Sequence, residues 1–211
     1  MAELAGYPHG PDAPLRATAR ALAKAGGATT LVLVEGISDQ IAVETAAAAR
    51  GRDLDAERVV VVPIGGAHAI GRLVPTLGPV RLAGLCDLRE EHLFRRGLAA
   101  ASSAPLGVYV CVDDLEDELI RAVGVAGVET LFDAQGDLGS LRSMQRQPAW
   151  RDQPVPAQLR RFLGAGSRRK LRYASLLVEA AAARDAVPGP LDGLLAAVIG
   201  SGTGRGPAAP R

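Results

Sequence analysis

The chain has 211 residues, enough for one α/β domain with an appendage or for two small domains. Its formal net charge of +1 excludes a globally basic nucleic-acid coat. With 48% hydrophobic but only 3% aromatic residues, its core must be built from Ala, Val and Leu rather than rings. No apolar run approaches the ~20 residues needed to span a bilayer, and the N-terminus has neither a basic nor an apolar leader region. A soluble, cytoplasmic protein with no membrane partner is expected.

In chain order, residues 1–12 are Gly/Pro-rich and expected to be mobile, and Leu15–Ala25 suits an amphipathic helix stopped by Gly26-Gly27. Four strand-like runs follow: Thr30–Val34, Arg58–Val62, Val80–Cys86 and Gly107–Val112. Helical stretches at Asp39–Arg50, Ala67–Leu77 and roughly Glu90–Ala101 separate them. Near-continuous apolar strands alternating with helices predict a parallel sheet covered on both faces. After Val112 the strands stop. Leu115–Val123, Val125–Asp133, Leu138–Arg146, Ala157–Leu163, Arg168–Arg184 and Leu191–Ile199 read as helices, punctuated by Pro148, Pro154, Pro156, Pro188 and Pro190. The organisation is then an N-terminal segment 1–27 with one helix, an α/β core 28–125, a helical C-terminal extension 126–200 and a disordered tail 201–211. No internal repeat is found.

Glu35-Gly36-Ile37-Ser38-Asp39 follows the first apolar strand and opens an Ala-rich helix. Strand, glycine turn and helix place both carboxylates at the carboxyl edge of a sheet, where open α/β folds bind ligands. Two acids held that close repel unless a cation lies between them, which points to Mg²⁺. The plainer account is a solvent-facing Glu35 and a helix capped by Ser38 or Asp39.

Other residues join this pattern. Asp87 ends the third strand at the same edge, and Glu90 and Glu91 follow within one turn; Asp87 could equally be a helix cap. Leu115, Leu119, Ile120 and Val123 form a helical stripe whose inward edge carries Glu116, a costly position for an acid without a cation or donor. Asp114 is a cap or an outer acid behind the ligands, and Glu91 another. Lys170 lies on the stripe of Tyr173, Ala174, Leu177 and Ala181, where an ammonium could hold a scissile phosphate or merely snorkel. Arg168 and Arg169 flank it as candidate substrate contacts. Gly65-Gly66 after the second strand mark a tight turn open to close approach by backbone or phosphate.

The charges are segregated along the chain. Residues 113–118 are acidic except Leu115, while residues 141–172 carry nine cations against Asp152 alone. A basic surface beside an acidic pocket suits an enzyme acting on a polyanion. No P-loop and no G-x-S-x-G elbow occurs, so neither a Walker ATPase nor serine hydrolysis is expected. Cys86 and Cys111 lack the spacing of a zinc site or disulfide framework.

The runs LVLVEGISDQIAV, VVPIGG, RLAGLCDLREE and CVDDLEDELIRAVG, with SRRKLRYA later, together resemble the TOPRIM domain in its overcoming-lysogenization-defect (OLD) branch, over residues 29 to 200. The chain departs from the usual D-x-D after the third strand, since Arg89 stands where the second aspartate would be. It also shows no ATPase region of the kind OLD nucleases carry N-terminally. The resemblance implies a Rossmann-like, mostly parallel four-stranded sheet and phosphodiester hydrolysis with two divalent metals, Mg²⁺ or Mn²⁺. In that picture Glu35, Asp39 and Asp87 hold one ion, Glu90 and Glu116 complete a second site, and Glu35 and Lys170 are catalytic. Arg168, Arg169, Gly65 and Gly66 contact the substrate, a nucleic acid with DNA ahead of RNA. An ATPase supplied in trans and a homodimer are the expected protein partners. The rival functions are nucleotidyl transfer or hydrolysis of a small nucleotide, and a non-catalytic module serving a separate ATPase.

Overall fold

The computed structural model describes residues 6–200. Four strands, β1 (Thr30–Val34), β2 (Val59–Pro63), β3 (Arg81–Asp87) and β4 (Gly107–Cys111), form one sheet in the order β2-β1-β3-β4, and every pairing is parallel. The first three runs sit within one residue of their expected bounds, because Val- and Leu-rich segments buried on both faces leave little choice of register.

Each strand divides its residues between two cores. Val32, Val34, Val61, Ala83 and Leu85 face one side, and Leu31, Leu33, Val60, Val62 and Leu82 face the other. Ten α-helices lie against the sheet among the described residues. On the first side pack α2 (Ile37–Ala49), α5 (Leu115–Val123), α6 (Val125–Ala134), α7 (Leu138–Gln145), α8 (Val155–Gly164), α9 (Ser167–Ala182) and α10 (Gly189–Gly200). The second side carries α1 (Ala13–Ala25), α3 (Ile70–Leu73) and α4 (Glu91–Leu98).

Residues 126–200 thus complete the same apolar cluster as the sheet face. This is also where rings are used: Phe132 meets Phe162 at 5.2 Å and Tyr173 edge-on at 4.7 Å. The expected helix over Ala67–Leu77 is broken instead, a four-residue α3 between 3-10 turns at Ala67–Ala69 and Val74–Thr76, the second opened by Pro75. Of the segment expected to be mobile, residues 6–12 are described and mostly exposed, with Tyr7 and Pro8 half-buried; the Tyr7 hydroxyl donates to the Glu44 carboxylate on α2. Residues 1–5 and the tail 201–211 lie outside the described residues.

Two features place the site. The chain leaves β1 through α2 to reach β2, then crosses to β3 on the other side of β1, so the topological switch point falls between β1 and β3. Beneath β3, Gly84 lets α4 approach closely: a Cβ there would lie 2.7 Å from the Phe94 ring. Helix α4 therefore starts directly behind the end of β3.

Candidate functional site

At the switch point Glu35 ends β1 and Asp87 ends β3, and a hydrogen bond joins them: the Asp87 backbone N–H donates to Glu35 Oε1 at 3.0 Å. Burial raises the Glu35 pKa, the Asp87 N–H opposes the rise, and the charge of Glu90 adds to it. Asp87 is pushed up to about 7, first by burial and then by Glu35, Asp39, Asp114 and Glu116. Asp39 sits in the first turn of α2 and accepts the Gly36 N–H at 2.8 Å. Burial and then the Glu116 charge push it up to about 7 as well, against Lys170 and the Gly36 N–H. Burial first, and then their standing together without enough positive charge, thus disfavours ionisation of the three carboxylates.

The opposite wall comes from α5 and α9. Lys170 Nζ lies 3.1 Å from Glu116 Oε1, joining the two residues placed on inward helix edges by periodicity. Burial pulls the Lys170 pKa down, but Glu116 and Asp39 outweigh it and the net shift is upward, so the ammonium stays charged. Asp114 has two tasks already: Oδ1 caps α5 by accepting the Asp117 N–H at 2.8 Å, and Oδ2 accepts Arg160 Nε at 2.6 Å. Asp117 and Glu118 both pair with Arg121 on the other side of α5.

The two glutamates after Asp87 separate as their angular offset requires. The charge of Glu90 reaches Glu35, whereas Glu91 pairs along α4 with Arg95 at 2.7 Å. Arg89 is exposed. Gly65 and Gly66 adopt positive φ of 74° and 106°, and the Gly66 N–H donates to the Glu35 carbonyl at 3.0 Å, so this turn holds the end of β1 in place.

One expected substrate contact lies elsewhere. Arg169 stacks over Phe162 at 3.9 Å, donates to its carbonyl and approaches Asp137; it braces the helical layer and does not enter the site. Nor is the basic run 141–172 a free surface throughout. Arg142 pairs with Glu129, Arg160 with Asp113 and Asp114, Arg172 with Asp137, and Lys170 with Glu116. Their partners come from other segments of the chain, a pairing that no local signal in the sequence announces. Among the described residues Arg168 makes no salt bridge and stands exposed at the start of α9.

A cleft of about 550 Å³ opens beside the acids, with Glu35, Ser38 and Gly65 on one side and Arg168, Lys170 and Leu171 on the other. Residues 8–11, 13 and 14 also line it, His9 among them; only their Pro/Gly content distinguishes them in the sequence.

The donors fit a hard divalent cation in chemistry and charge: carboxylate oxygens in excess, each raised in pKa by burial and then by its neighbours. Among the described residues, however, no three acidic, imidazole or thiol groups are gathered tightly enough to hold one ion as they stand.

Comparison with known proteins gives a consistent answer. Residues 28–83 match the family described as overcoming lysogenization defect protein-like, TOPRIM domain. The fold is similar to the C-terminal region of the Burkholderia pseudomallei OLD protein, at 19% identity and a TM-score of 0.58, over 81% of this chain and 96% of that one. It is also similar to the C-terminal region of the Xanthomonas campestris pv. campestris OLD protein, at 20% identity and a TM-score of 0.54, over 81% and 94%. The comparison with curated proteins returned no match.

Proposed function

We propose that this chain, whose residues 28–83 match the OLD-like TOPRIM family, is a divalent-metal-dependent phosphodiesterase acting on nucleic acid. Its fold is of a metal-binding nuclease type, and OLD-family TOPRIM domains act on nucleic acid, beside an ATPase domain in full-length forms. The observation that carries the reading is the set of half-buried, mutually repelling carboxylates at the switch point, of which Glu35 shares a ligand-sized cleft with the charged Lys170.

In this reading Glu35, Asp39 and Asp87 hold one Mg²⁺ or Mn²⁺, and Glu90 with Glu116 completes a second site. Bound there, the cations would supply water activation and neutralise charge on the leaving oxygen. The chain's own groups do the rest. Glu35 is kept in register by the Asp87 N–H and the Gly66 turn. The Lys170 ammonium, held at the mouth by Glu116, offers its remaining protons to a substrate phosphate, and Arg168 adds charge at the rim. Asp114 and Arg160 act indirectly by fixing the start of α5, and with it Glu116.

The test is incubation of purified protein with supercoiled plasmid, single-stranded DNA and RNA in Mg²⁺, Mn²⁺ or EDTA. Metal-dependent cutting that EDTA stops is the expected result; no cutting of any substrate in either metal defeats the reading. A second reading, a non-catalytic module serving an ATPase, is favoured by Arg89 in place of the second aspartate. It predicts metal binding without turnover.

A further inference from the structure

The cleft beside Glu35 has a wall that lies outside the matched residues 28–83. Pro8, His9, Pro11, Ala13 and Pro14 form it, on the same opening as Arg168 and Lys170. The wall is fastened from behind. Tyr7 donates to Glu44 on α2, Arg20 Nη1 donates to the Gly6 carbonyl at 2.7 Å, and Arg16 holds the His9 carbonyl. Ala13 and Ala17 pack with Ile37, Ile41 and Ala174 in an apolar cluster separate from both sheet-face cores. Thr18 Oγ1 donates to the Pro63 carbonyl at 2.5 Å. Helix α1 therefore ties the wall to α2 and α9, the two elements that carry Asp39 and Lys170.

The chemistry of the cleft is divided. Prolines and an alanine offer rigid apolar surface, while Lys170 and Arg168 offer positive charge. A strand whose phosphate meets the cations can turn its sugar and base toward the prolines. At about 550 Å³ the cleft has the volume of a pocket for a ligand-sized group, which a nucleotide unit can enter and a continuous double helix cannot. A nucleotide inside it must be unpaired and unstacked, and that cost is least for a strand that is already single.

We propose that the N-terminal wall makes this site selective for unpaired, single-stranded nucleic acid. The proposal deepens the phosphodiesterase reading and rests on it for where the strand is cut, while its binding preference can be measured without cutting. The test uses the full chain with a labelled single-stranded oligonucleotide and its blunt duplex. Binding is followed by fluorescence anisotropy in EDTA, and cutting by gel in Mg²⁺ and Mn²⁺.

The wild type should prefer the single strand by about tenfold. Tyr7→Ala and Arg20→Ala, which loosen the wall from positions outside the cleft, should lose most of that preference by admitting the duplex. Tyr7→Phe, which keeps the ring and loses the hydroxyl's bond, should fall between, and circular-dichroism melts establish that each variant is folded. Equal binding of both forms by the wild type, binding of neither, or a preference that survives in both loosened variants overturns the proposal. Preferential binding under control of Tyr7 with no cutting in either metal upholds the wall and defeats the phosphodiesterase reading. Equal binding and equal cutting of both forms does the reverse.

Discussion

Replacing Asp87 by asparagine should stabilise the metal-free protein at pH 8. The Asp87 carboxyl rises from its ordinary 3.8 to about 7 in the fold, through burial and the charges of Glu35, Asp39, Asp114 and Glu116. At about 1.4 kcal/mol per pH unit that rise corresponds to an upper bound of about 4 kcal/mol. The side chain is only half-buried, and solvent screening reduces the figure to about 1–2 kcal/mol. Because the folded-state pKa is raised, the favourable contribution is complete below pH 3.8 and is lost as pH rises through about 7. At pH 8 the wild type therefore bears the whole penalty, which the neutral amide does not. The Asp87 N–H bond to Glu35 belongs to the backbone and survives the change. For a chain of this length, about 1–2 kcal/mol is a rise of about 2–8 °C in melting temperature. Thermal melts in EDTA at pH 8 and pH 5 measure it, and the gain should shrink at pH 5. With Mn²⁺ at about a hundred times its Kd the order should reverse, since binding to the native wild type adds about 2.7 kcal/mol. A variant that melts at or below wild type in EDTA at pH 8 would refute the claim that burial and the neighbouring acids penalise a charged Asp87.

Glu35→Gln should abolish cutting while leaving the fold intact, because the amide oxygen can still accept the Asp87 N–H; equal Mn²⁺-dependent activity in variant and wild type would mark that activity as contamination. Lys170→Met should cost about 1–2 kcal/mol by stranding the mostly buried Glu116, with much of the loss recovered on adding Glu116→Gln. Urea titrations of the double-mutant cycle decide this, and zero coupling energy would contradict the pair. Divalent-ion affinity should tighten as pH rises from 6 to 8, since Asp39 and Asp87 must shed protons held near pH 7; calorimetry in buffers of different ionisation enthalpy would show no proton release if they are not ligands. Gly84→Ala should lose about 1–3 kcal/mol by driving a methyl into Phe94, whereas Gly26→Ala, with nothing near its missing Cβ, should not.

The sequence alone determined the sheet and the edge at which the candidate acids gather. Buried parallel strands are written as unbroken Val/Leu runs, and Glu-Gly-Ile-Ser-Asp, coming after such a run and before an Ala-rich helix, falls at a strand's carboxyl end. Helical phase was enough to put Glu116 and Lys170 on inward edges, and the two meet at 3.1 Å. Phase also separated Glu90 from Glu91, because neighbouring residues on a helix are about 100° apart. Only the tertiary structure decided which charges remain free. Arg160, Arg169 and Arg172 belong to the run that read as a basic surface, yet each is taken up by Asp114 or Asp137 from distant segments. A guanidinium finds its carboxylate through space, and no periodicity encodes a partner 30 or more residues away. The wall formed by residues 8–14 was hidden for the same reason. Its Pro/Gly composition suggests only a loop, and it becomes part of a site when Tyr7 reaches Glu44 across 37 residues and α1 closes against α2 and α9.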